Sequence, residues 1–244
     1  MPHHENLGKD TRIGKRRALP CTRTGDLLDT ADHECHMSRG CAELTKARED
    51  EIIRACETLY RTKSFGEITV SDIGDAISVS RSSIYNYFQT KEEIFLALLA
   101  REYIDWAAAL DDLRSRHKSM TVDAFADALA ESLAARGQML KLLSMNHYDM
   151  EKNSRPEQLT QFKVAYGSTL RAVDACLSQF FPEMSDDART RFIYTFFPFL
   201  FGVYPYTTVT DKQLDAMRAA GMEYTMWSVY DIIYNCVRQL LCGQ

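Results

Sequence analysis

The segment from residue 69 to residue 91 concentrates polar side chains whose types suit contacts with a nucleic acid. It contains a guanidinium, an ammonium, carboxamides, two phenols and several hydroxyls. Groups of this kind form hydrogen bonds with base edges and phosphate oxygens, and the cations also neutralise phosphate charge. The candidate DNA-contact residues are Thr69, Arg81, Ser82, Ser83, Tyr85, Asn86, Tyr87 and Lys91.

Two apolar residues divide this segment into a buried and an exposed face. Ile84 and Phe88 are four residues apart, so both can anchor a short helix over residues 81–88 to a core. The side chains that we then expect to face bases are Arg81, Ser83 and Asn86, and those expected to face phosphates are Tyr87 and Lys91. The simpler interpretation is a polar helix on the protein surface.

Three hydroxyl residues stand where helices are expected to begin. Thr69 precedes Asp72 by three residues, a capping box in which the hydroxyl accepts the Asp72 amide and the carboxylate reaches back. Thr90 and Glu93 repeat this pattern, and Ser80 caps a helix between them. The sequence therefore predicts three successive helices.

Apolar pairs around two of these caps predict how the chain enters each helix. Ile68 and Ile73 form a hydrophobic staple across the first cap, and Val79 and Ile84 form one across the second. Only Ser78 and Val79 separate the first helix from the second cap, so the two helices must cross steeply, as in a helix-turn-helix. Two staples and three caps in one stretch favour this motif over an isolated surface helix.

The segment resembles the DNA-binding domain of TetR-type transcriptional regulators. It matches T-x-x-x-I-x-x-x-x-x-V-S-x-x-x-I-Y-x-Y-F-x-T-K-E at the family spacing, and the resemblance runs from about residue 46 to residue 106. Ser78 stands where the family usually has Gly. The turn therefore either lacks a residue in the left-handed conformation, or places Ser78 in that conformation at a cost of about 1 kcal/mol. Gly74 stands where the family prefers Ala, which weakens the helix by roughly 0.5 to 1 kcal/mol unless close packing requires it.

Apolar periodicity predicts helices along the rest of the chain, with no strand pattern of useful length. We therefore expect an all-α fold of about nine or ten helices. An N-terminal three-helix helix-turn-helix domain at 43–106 is joined to a larger C-terminal helical bundle at 107–244, and the resemblance implies effector binding and dimerisation in that bundle. We expect the first helix at about 45–62, a helix at 185–204 that Pro205 ends, and a last helix at about 223–241.

Composition is that of an ordinary globular protein, 45% hydrophobic and 26% charged. No apolar run is long enough to span a membrane and no apolar stretch follows the basic start, so we expect a cytoplasmic protein. Seven scattered cysteines indicate reduced thiols. The net charge of -5 arises mainly in residues 92–244, which carry fifteen Lys and Arg against twenty Asp and Glu. The DNA-binding part must therefore rely on a few placed cations, Arg81 and Lys91 foremost.

Residues 1–42 lack an apolar period and read as a disordered N-terminal extension. The basic run at 15–17 is either an arm that follows a DNA backbone or part of a solvated tail. Cysteines and a histidine in this region lack a fourth ligand at zinc-finger spacing, so we predict no metal site. Met37 is an alternative start, which would place residues 1–36 outside the natural protein.

The sequence offers no support for an enzyme or a cofactor. Outside the tail only His117 and His147 remain, and neither lies in a nucleophile or metal motif. The patterns G-x-G-x-x-G, G-x-x-x-x-G-K-S/T and H-E-x-x-H do not occur. His147 and Glu151 are one helical turn apart, but a polar helix face explains them better than a shared metal ion.

The resemblance implies a small-molecule effector site, of unspecified ligand, in the C-terminal bundle. Candidate residues combine soft, aromatic and hydrogen-bonding side chains, and are Met139, Met145, His147, Tyr148, Tyr166 and Phe196. The same residues also fit an ordinary hydrophobic core.

The resemblance further implies a homodimer in which the last two long helices meet their copies across a two-fold axis. Candidates for this interface are Phe192, Phe199, Val229, Ile233 and Val237, and the stripe that faces the partner stays open. We interpret the protein as a ligand-responsive repressor of a palindromic double-stranded DNA operator, in which the ligand moves the two DNA-reading helices off the spacing of one DNA turn, about 34 to 36 Å. The alternative is an interaction protein that marks DNA or docks a partner without an effector, and a filled bundle core would favour it.

Overall fold

A computed structural model describes the backbone of residues 29–145 and 147–243, with side chains from residue 42 onward except that of residue 147. The described residues form eleven α-helices and no strand, which confirms the predicted all-α class. The helices are α1 Asp29–Tyr60, α2 Val70–Ala76, α3 Arg81–Ile84, α4 Lys91–Arg116, α5 Val122–Ala134, α6 Gly137–Leu143, α7 His147–Lys152, α8 Pro156–Phe180, α9 Asp186–Thr207, α10 Asp211–Ala219 and α11 Val229–Cys242.

Several helix boundaries differ from the predicted ones. Helix α1 begins at Asp29 and not near residue 45. Residues 29–42 show no apolar period, so the sequence contained no sign that the helix starts there. The predicted basic arm at 15–17 lies outside the described residues. The apolar residues at 139–143 and the chain up to Met150 suggest one helix in the sequence, but the structure has two, α6 and α7. The Ser144 hydroxyl donates to the Lys141 carbonyl just after α6 ends. This division accounts for the additional helix.

The two prolines of α9 do not end it. Pro198 and Pro205 both lie inside the helix, so the prediction that Pro205 ends it is wrong. Both prolines lie on the exposed side of the helix. Helix α11 begins later than predicted, because Ser228 and Asp231 form a capping box and Gly221, at φ +67°, closes the preceding helix.

The described residues from Thr45 onward form one compact unit. Within it α4 packs along α8, and α11 packs along α5 and α9. Trp106 of α4 is fully buried, and its indole N–H donates to the Ser132 hydroxyl of α5 at 2.9 Å. The proposed domain boundary between residues 106 and 107 stays a prediction. No helix in the described part of the chain has the length and hydrophobicity that a membrane crossing requires.

The predicted caps hold the small N-terminal core in place. Thr69 and Asp72 form the expected capping box, and the Ser80 hydroxyl accepts the Ser83 amide at 3.2 Å. The Thr90 hydroxyl accepts a hydrogen bond from the Glu93 amide at 3.1 Å. The predicted second bond, from the Thr90 amide to the Glu93 carboxylate, is not among the bonds that this carboxylate accepts. The carboxylate bonds elsewhere, as described below.

The turn between α2 and α3 depends on the two positions that depart from the family pattern. Ser78 has φ +55°, in the left-handed region, so the turn has the predicted strained residue. The Val79 amide then donates to the Gly74 carbonyl at 2.9 Å, a bond that closes the C-terminus of α2. A Cβ atom at position 74 would lie 2.4 Å from the Val79 carbonyl oxygen. Close packing therefore requires the glycine.

Candidate nucleic-acid interface

The predicted DNA-reading helix is α-helical only in its first turn. After Ile84 the chain continues in tighter turns, with the Asn86 amide donating to the Ser83 carbonyl at 3.2 Å and the Tyr87 amide to the Ile84 carbonyl at 2.9 Å. Ile84 and Phe88 are buried, as their spacing predicted. They hold residues 80–89, which we name the DNA-reading segment, against the small core.

Arg81 and Tyr85 form one exposed unit on this segment. The Arg81 guanidinium donates from Nε and Nη2 to the Tyr85 hydroxyl oxygen, at 2.9 and 2.7 Å, and lies 5.3 Å from the centre of the tyrosine ring. Tyr85 remains 37% exposed, and the neighbouring Asn86 side chain is also exposed. A guanidinium has five N–H donors, so this contact leaves Arg81 with the capacity to bind a base edge or a phosphate.

The serine hydroxyls of the segment are joined to one another. The Ser80 Oγ lies 2.9 Å from the Ser82 Oγ and 2.8 Å from the Ser83 Oγ, while it also accepts the Ser83 amide. Ser82 is exposed and Ser83 half-buried. Thr69, at the start of α2, is exposed and donates its hydroxyl to the Asp72 carboxylate at 2.6 Å.

Lys91 and Tyr87, which we expected to face phosphates, both make contacts inside the protein. The Lys91 ammonium donates to the Phe65 and Ile68 carbonyls at 2.8 and 2.9 Å and lies 4.0 Å from the centre of the Phe65 ring. Tyr87 is half-buried and packs against the core. Lys91 thus ties the loop before α2 to the start of α4, a role that the sequence did not reveal, and its contact with a phosphate stays a prediction.

The C-terminal part of the chain contacts this small core at several points. The Lys141 ammonium of α6 donates to the Tyr60 and Lys63 carbonyls at the C-terminus of α1, at 2.7 and 2.9 Å, and burial lowers the pKa of Lys141. The Arg155 guanidinium donates to the Tyr87 carbonyl at 2.8 Å. No local sequence signal predicts these contacts, because each joins residues more than sixty positions apart.

The five candidate effector residues with described side chains lie in different surroundings. Met139 and Phe196 are fully buried, whereas Tyr148 is 77% exposed. Met145 is half-buried, and its sulfur accepts a hydrogen bond from the Tyr60 hydroxyl at 3.1 Å. The Tyr166 ring meets the rings of Tyr103 and Phe197 edge to face. The His147 side chain lies outside the described residues. Helical spacing cannot separate a cavity wall from ordinary core or from surface, so the assignment of these residues to one effector site stays a prediction.

A groove of about 580 Å³ opens between α4 and α5 instead. Its floor is apolar, and its rim carries both cations and carboxylates. The residues that line it include Leu110, Leu113, Arg116, Met120, Ala124, Glu131 and Arg136. The volume lies in the range of small-molecule sites.

Three of the five candidate dimer residues fill the core of a single chain. Phe192, Ile233 and Val237 have no exposed surface, because α11 turns its apolar face toward α5 and α9. In a single chain these three side chains are core residues, and their part in a dimer interface stays a prediction. Phe199 and Val229 are half-buried and pack against the same core.

The exposed face of α9 is a different one. Tyr194 and Tyr206 are 74% and 70% exposed, and Pro198 and Pro205 are exposed between them. Tyr194, Pro198 and Pro205 are spaced by four and seven residues, so they lie on one helix face. The spacing of these residues is visible in the sequence, but the predicted interface used the larger apolar residues Phe192 and Phe199 of the same helix.

Comparison with known families decides the identity of the fold. The model of the tetracyclin repressor-like C-terminal domain matches residues 100–244, and that of bacterial regulatory proteins of the tetR family matches residues 52–98. The chain belongs to the TetR family. The helix-turn-helix described above is therefore the DNA-binding motif of a TetR-family transcriptional regulator.

Individual TetR-family relatives resemble this chain only distantly. The HTH-type transcriptional repressor KstR2 of Mycolicibacterium smegmatis is 30% identical over 60 residues, which cover 25% of this chain and 29% of that protein. A TetR-family regulator of Mesorhizobium loti has a similar structure, with a TM-score of 0.52 and 14% identity over 82% of this chain and 97% of its own. Thermus thermophilus FadR, a TetR-family repressor solved with lauroyl-CoA, has a TM-score of 0.52 and 19% identity over 80% and 94%.

Proposed function

We propose that this TetR-family protein is a repressor that binds a palindromic operator as a homodimer and releases it when a small molecule binds. The observation that carries the proposal is the exposed Arg81–Tyr85 unit beside Asn86, held on a capped and buried turn. Rigid support of this kind gives a guanidinium and an amide the fixed positions that direct base readout requires.

A dimer is needed because one DNA-reading segment offers few cations. Two copies related by a two-fold axis would read two half-sites one DNA turn apart, about 34 to 36 Å. We place the dimer contact on the exposed α9 face of Tyr194, Pro198, Pro205 and Tyr206. Exposed apolar residues at 222–227 continue this face, since the Tyr224 hydroxyl donates to the Tyr206 carbonyl at 2.5 Å.

The groove between α4 and α5 is our candidate effector site. Helix α4 begins in the DNA-binding part and ends at this groove, so a ligand that spreads α4 from α5 would change the position of the DNA-reading segment. The lauroyl-CoA complex of Thermus thermophilus FadR supports small-molecule binding in a protein of similar fold. The full burial of Met139 and Phe196 favours the alternative, an interaction protein that marks DNA or docks a partner without a small-molecule effector.

DNA binding is tested by selecting bound fragments of genomic DNA with the purified protein. We expect fragments that share an inverted repeat, with half-sites separated by about one helical turn. In the variant Arg81→Ala, base preference at one operator position should relax by about 1 to 3 kcal/mol, because a guanidinium that reads a base is lost. Arg218→Ala is the matched control, since Arg218 pairs with Asp215 on α10. Equal operator preference in Arg81→Ala and wild type would contradict the assignment.

Effector binding is tested by a thermal-shift screen of small molecules. A compound that binds the groove should stabilise the wild type and the control Ala134→Trp, because Ala134 is exposed on α5 and does not line the groove. It should not stabilise Ala124→Trp, whose indole would fill the groove. A compound that stabilises all three proteins and still releases operator DNA would place the effector site elsewhere.

A further inference from the structure

Glu93 is a buried carboxylate at the start of α4. It has no exposed surface, and it is the one charged residue of the described part of the chain that is buried to this degree. Its Oε1 accepts the Arg155 amide at 2.9 Å and the Arg155 Nε at 2.8 Å. Its Oε2 accepts the Gln89 amide at 2.7 Å and the Arg155 Nη2 at 2.9 Å. A carboxylate with four such bonds is fully satisfied without water.

The arginine that meets this carboxylate belongs to the corner between α7 and α8. Arg155 stands immediately before α8, at a position where its side chain makes no capping bond. A cation at a helix N-terminus is unfavourable for that helix, so the stability of α8 does not explain the arginine. Its contact with Glu93, 62 positions away along the chain, does.

The same corner holds the end of the DNA-reading segment by two further bonds. The Arg155 Nη2 also donates to the Tyr87 carbonyl at 2.8 Å, and the Thr90 hydroxyl donates to the Asn153 carbonyl at 3.1 Å. The corner therefore bonds directly to the Tyr87 carbonyl, the Thr90 hydroxyl and the Glu93 carboxylate. The Glu93 carboxylate in turn accepts the Gln89 amide. These residues join the DNA-reading segment to α4.

We propose that Glu93 and Arg155 form a latch through which the α7–α8 corner sets the orientation of the DNA-reading segment. The pair consists of positioning residues for DNA binding, and the proposal rests on the DNA-binding function proposed above. Because the carboxylate is buried, the contact does not loosen gradually. A shift of α8 relative to α4 either carries the segment with it or leaves a buried charge unpaired. The latch is thus a second connection between the C-terminal bundle and the DNA-reading segment, additional to the continuous helix α4.

The latch is tested with Arg155→Met, Arg155→Lys and the matched control Arg189→Met. Met keeps much of the arginine stem but removes all donors, and Lys keeps the charge without the bidentate geometry. Arg189 also forms ion pairs, with Asp174 at 2.9 Å and Asp186 at 2.7 Å, and so joins α8 to α9. Each variant is measured well below its own melting temperature, so that all are folded.

Two readouts separate positioning from stability. In Arg155→Met, operator affinity should fall about tenfold or more, which corresponds to about 1.4 kcal/mol. The loss should be smaller in Arg155→Lys. Arg189→Met should bind operator with wild-type affinity. Without DNA, hydrogen exchange of the Phe88 and Gln89 amides should accelerate in Arg155→Met, while the amides in the middle of α4 keep wild-type protection.

The outcomes distinguish this proposal from the proposed function. Wild-type operator affinity in Arg155→Met, or an equal loss in Arg189→Met, would overturn the latch. If the wild-type protein selects no DNA, the proposed function fails, and the hydrogen-exchange comparison still decides whether the corner holds the segment. If Arg155→Met does not fold, then Arg155→Lys must show the same two effects at smaller size, and wild-type behaviour in that variant would overturn the proposal.

Discussion

The turn that presents the DNA-reading segment should not tolerate Ala at position 74. A Cβ atom there would lie 2.4 Å from the Val79 carbonyl oxygen, and this oxygen belongs to the backbone of a turn that Ser78 already holds at φ +55°. Moving it would also stretch the 2.9 Å bond from the Val79 amide to the Gly74 carbonyl. The change Gly74→Ala therefore forces a backbone shift and not merely a side-chain rotation.

The magnitude follows from two opposing effects. Ala stabilises a helix interior by about 0.5 to 1 kcal/mol relative to Gly. Overpacking a closed site costs about 1 to 3 kcal/mol. We expect the overlap to exceed the helix gain, for a net loss of about 1 to 2 kcal/mol in the free energy of unfolding. In a chain of this length, this lowers the melting temperature by roughly 2 to 8 °C.

The assay is thermal and urea unfolding followed by far-ultraviolet circular dichroism. Gly137→Ala is the matched control, because a Cβ at position 137 meets no atom within 4 Å. The control should be as stable as the wild type or slightly more stable. Ser78→Gly should stabilise the protein by up to about 1 kcal/mol, since it removes the left-handed strain. A Gly74→Ala protein that melts at or above the wild-type temperature would refute the reasoning.

Further predictions concern the dimer, acid stability and thiol reactivity. Tyr194→Glu should sediment as a folded monomer that no longer binds operator. Ile233→Glu should unfold, because it buries a charge inside one chain. The reverse pattern would favour the interface predicted from the sequence, which includes Ile233. Burial alone would raise the pKa of the Glu93 carboxyl, but hydrogen bonds from Arg155 and from the Gln89 amide outweigh burial and lower this pKa below 4.5. Its stabilising contribution is fully present above the ordinary glutamate pKa and is lost as the pH falls through the lowered pKa. The stability difference between wild type and Glu93→Gln in urea should therefore shrink as the pH is lowered below the ordinary glutamate pKa. Burial also raises the pKa of the Cys56 thiol to about 12, so iodoacetamide should modify the exposed Cys242 before Cys56. Faster labelling of Cys56 than of Cys242 in the folded protein would contradict the burial of Cys56.

The helix starts of the DNA-binding part follow from sequence alone. Thr69, Ser80 and Thr90 each accept an amide three residues ahead, as predicted, because a cap is a local contact whose partners are set by chain spacing. The resemblance to TetR-type regulators rests on the same short segment, and the family comparison agrees with it. Local signals were therefore sufficient for the fold class and for the location of the motif.

The tertiary structure decided which partner each of several side chains meets. Glu93 has the spacing of a capping box with Thr90, but its carboxylate pairs with Arg155, 62 positions away. A buried carboxylate gains more from a cationic partner than from one further backbone amide. Ile233 and Val237 lie on an apolar stripe that fits either a core or an interface, and only the packing of α11 against α5 shows that the stripe is internal. Periodicity identifies the apolar face of a helix, whereas its partner depends on contacts between segments that are far apart in sequence.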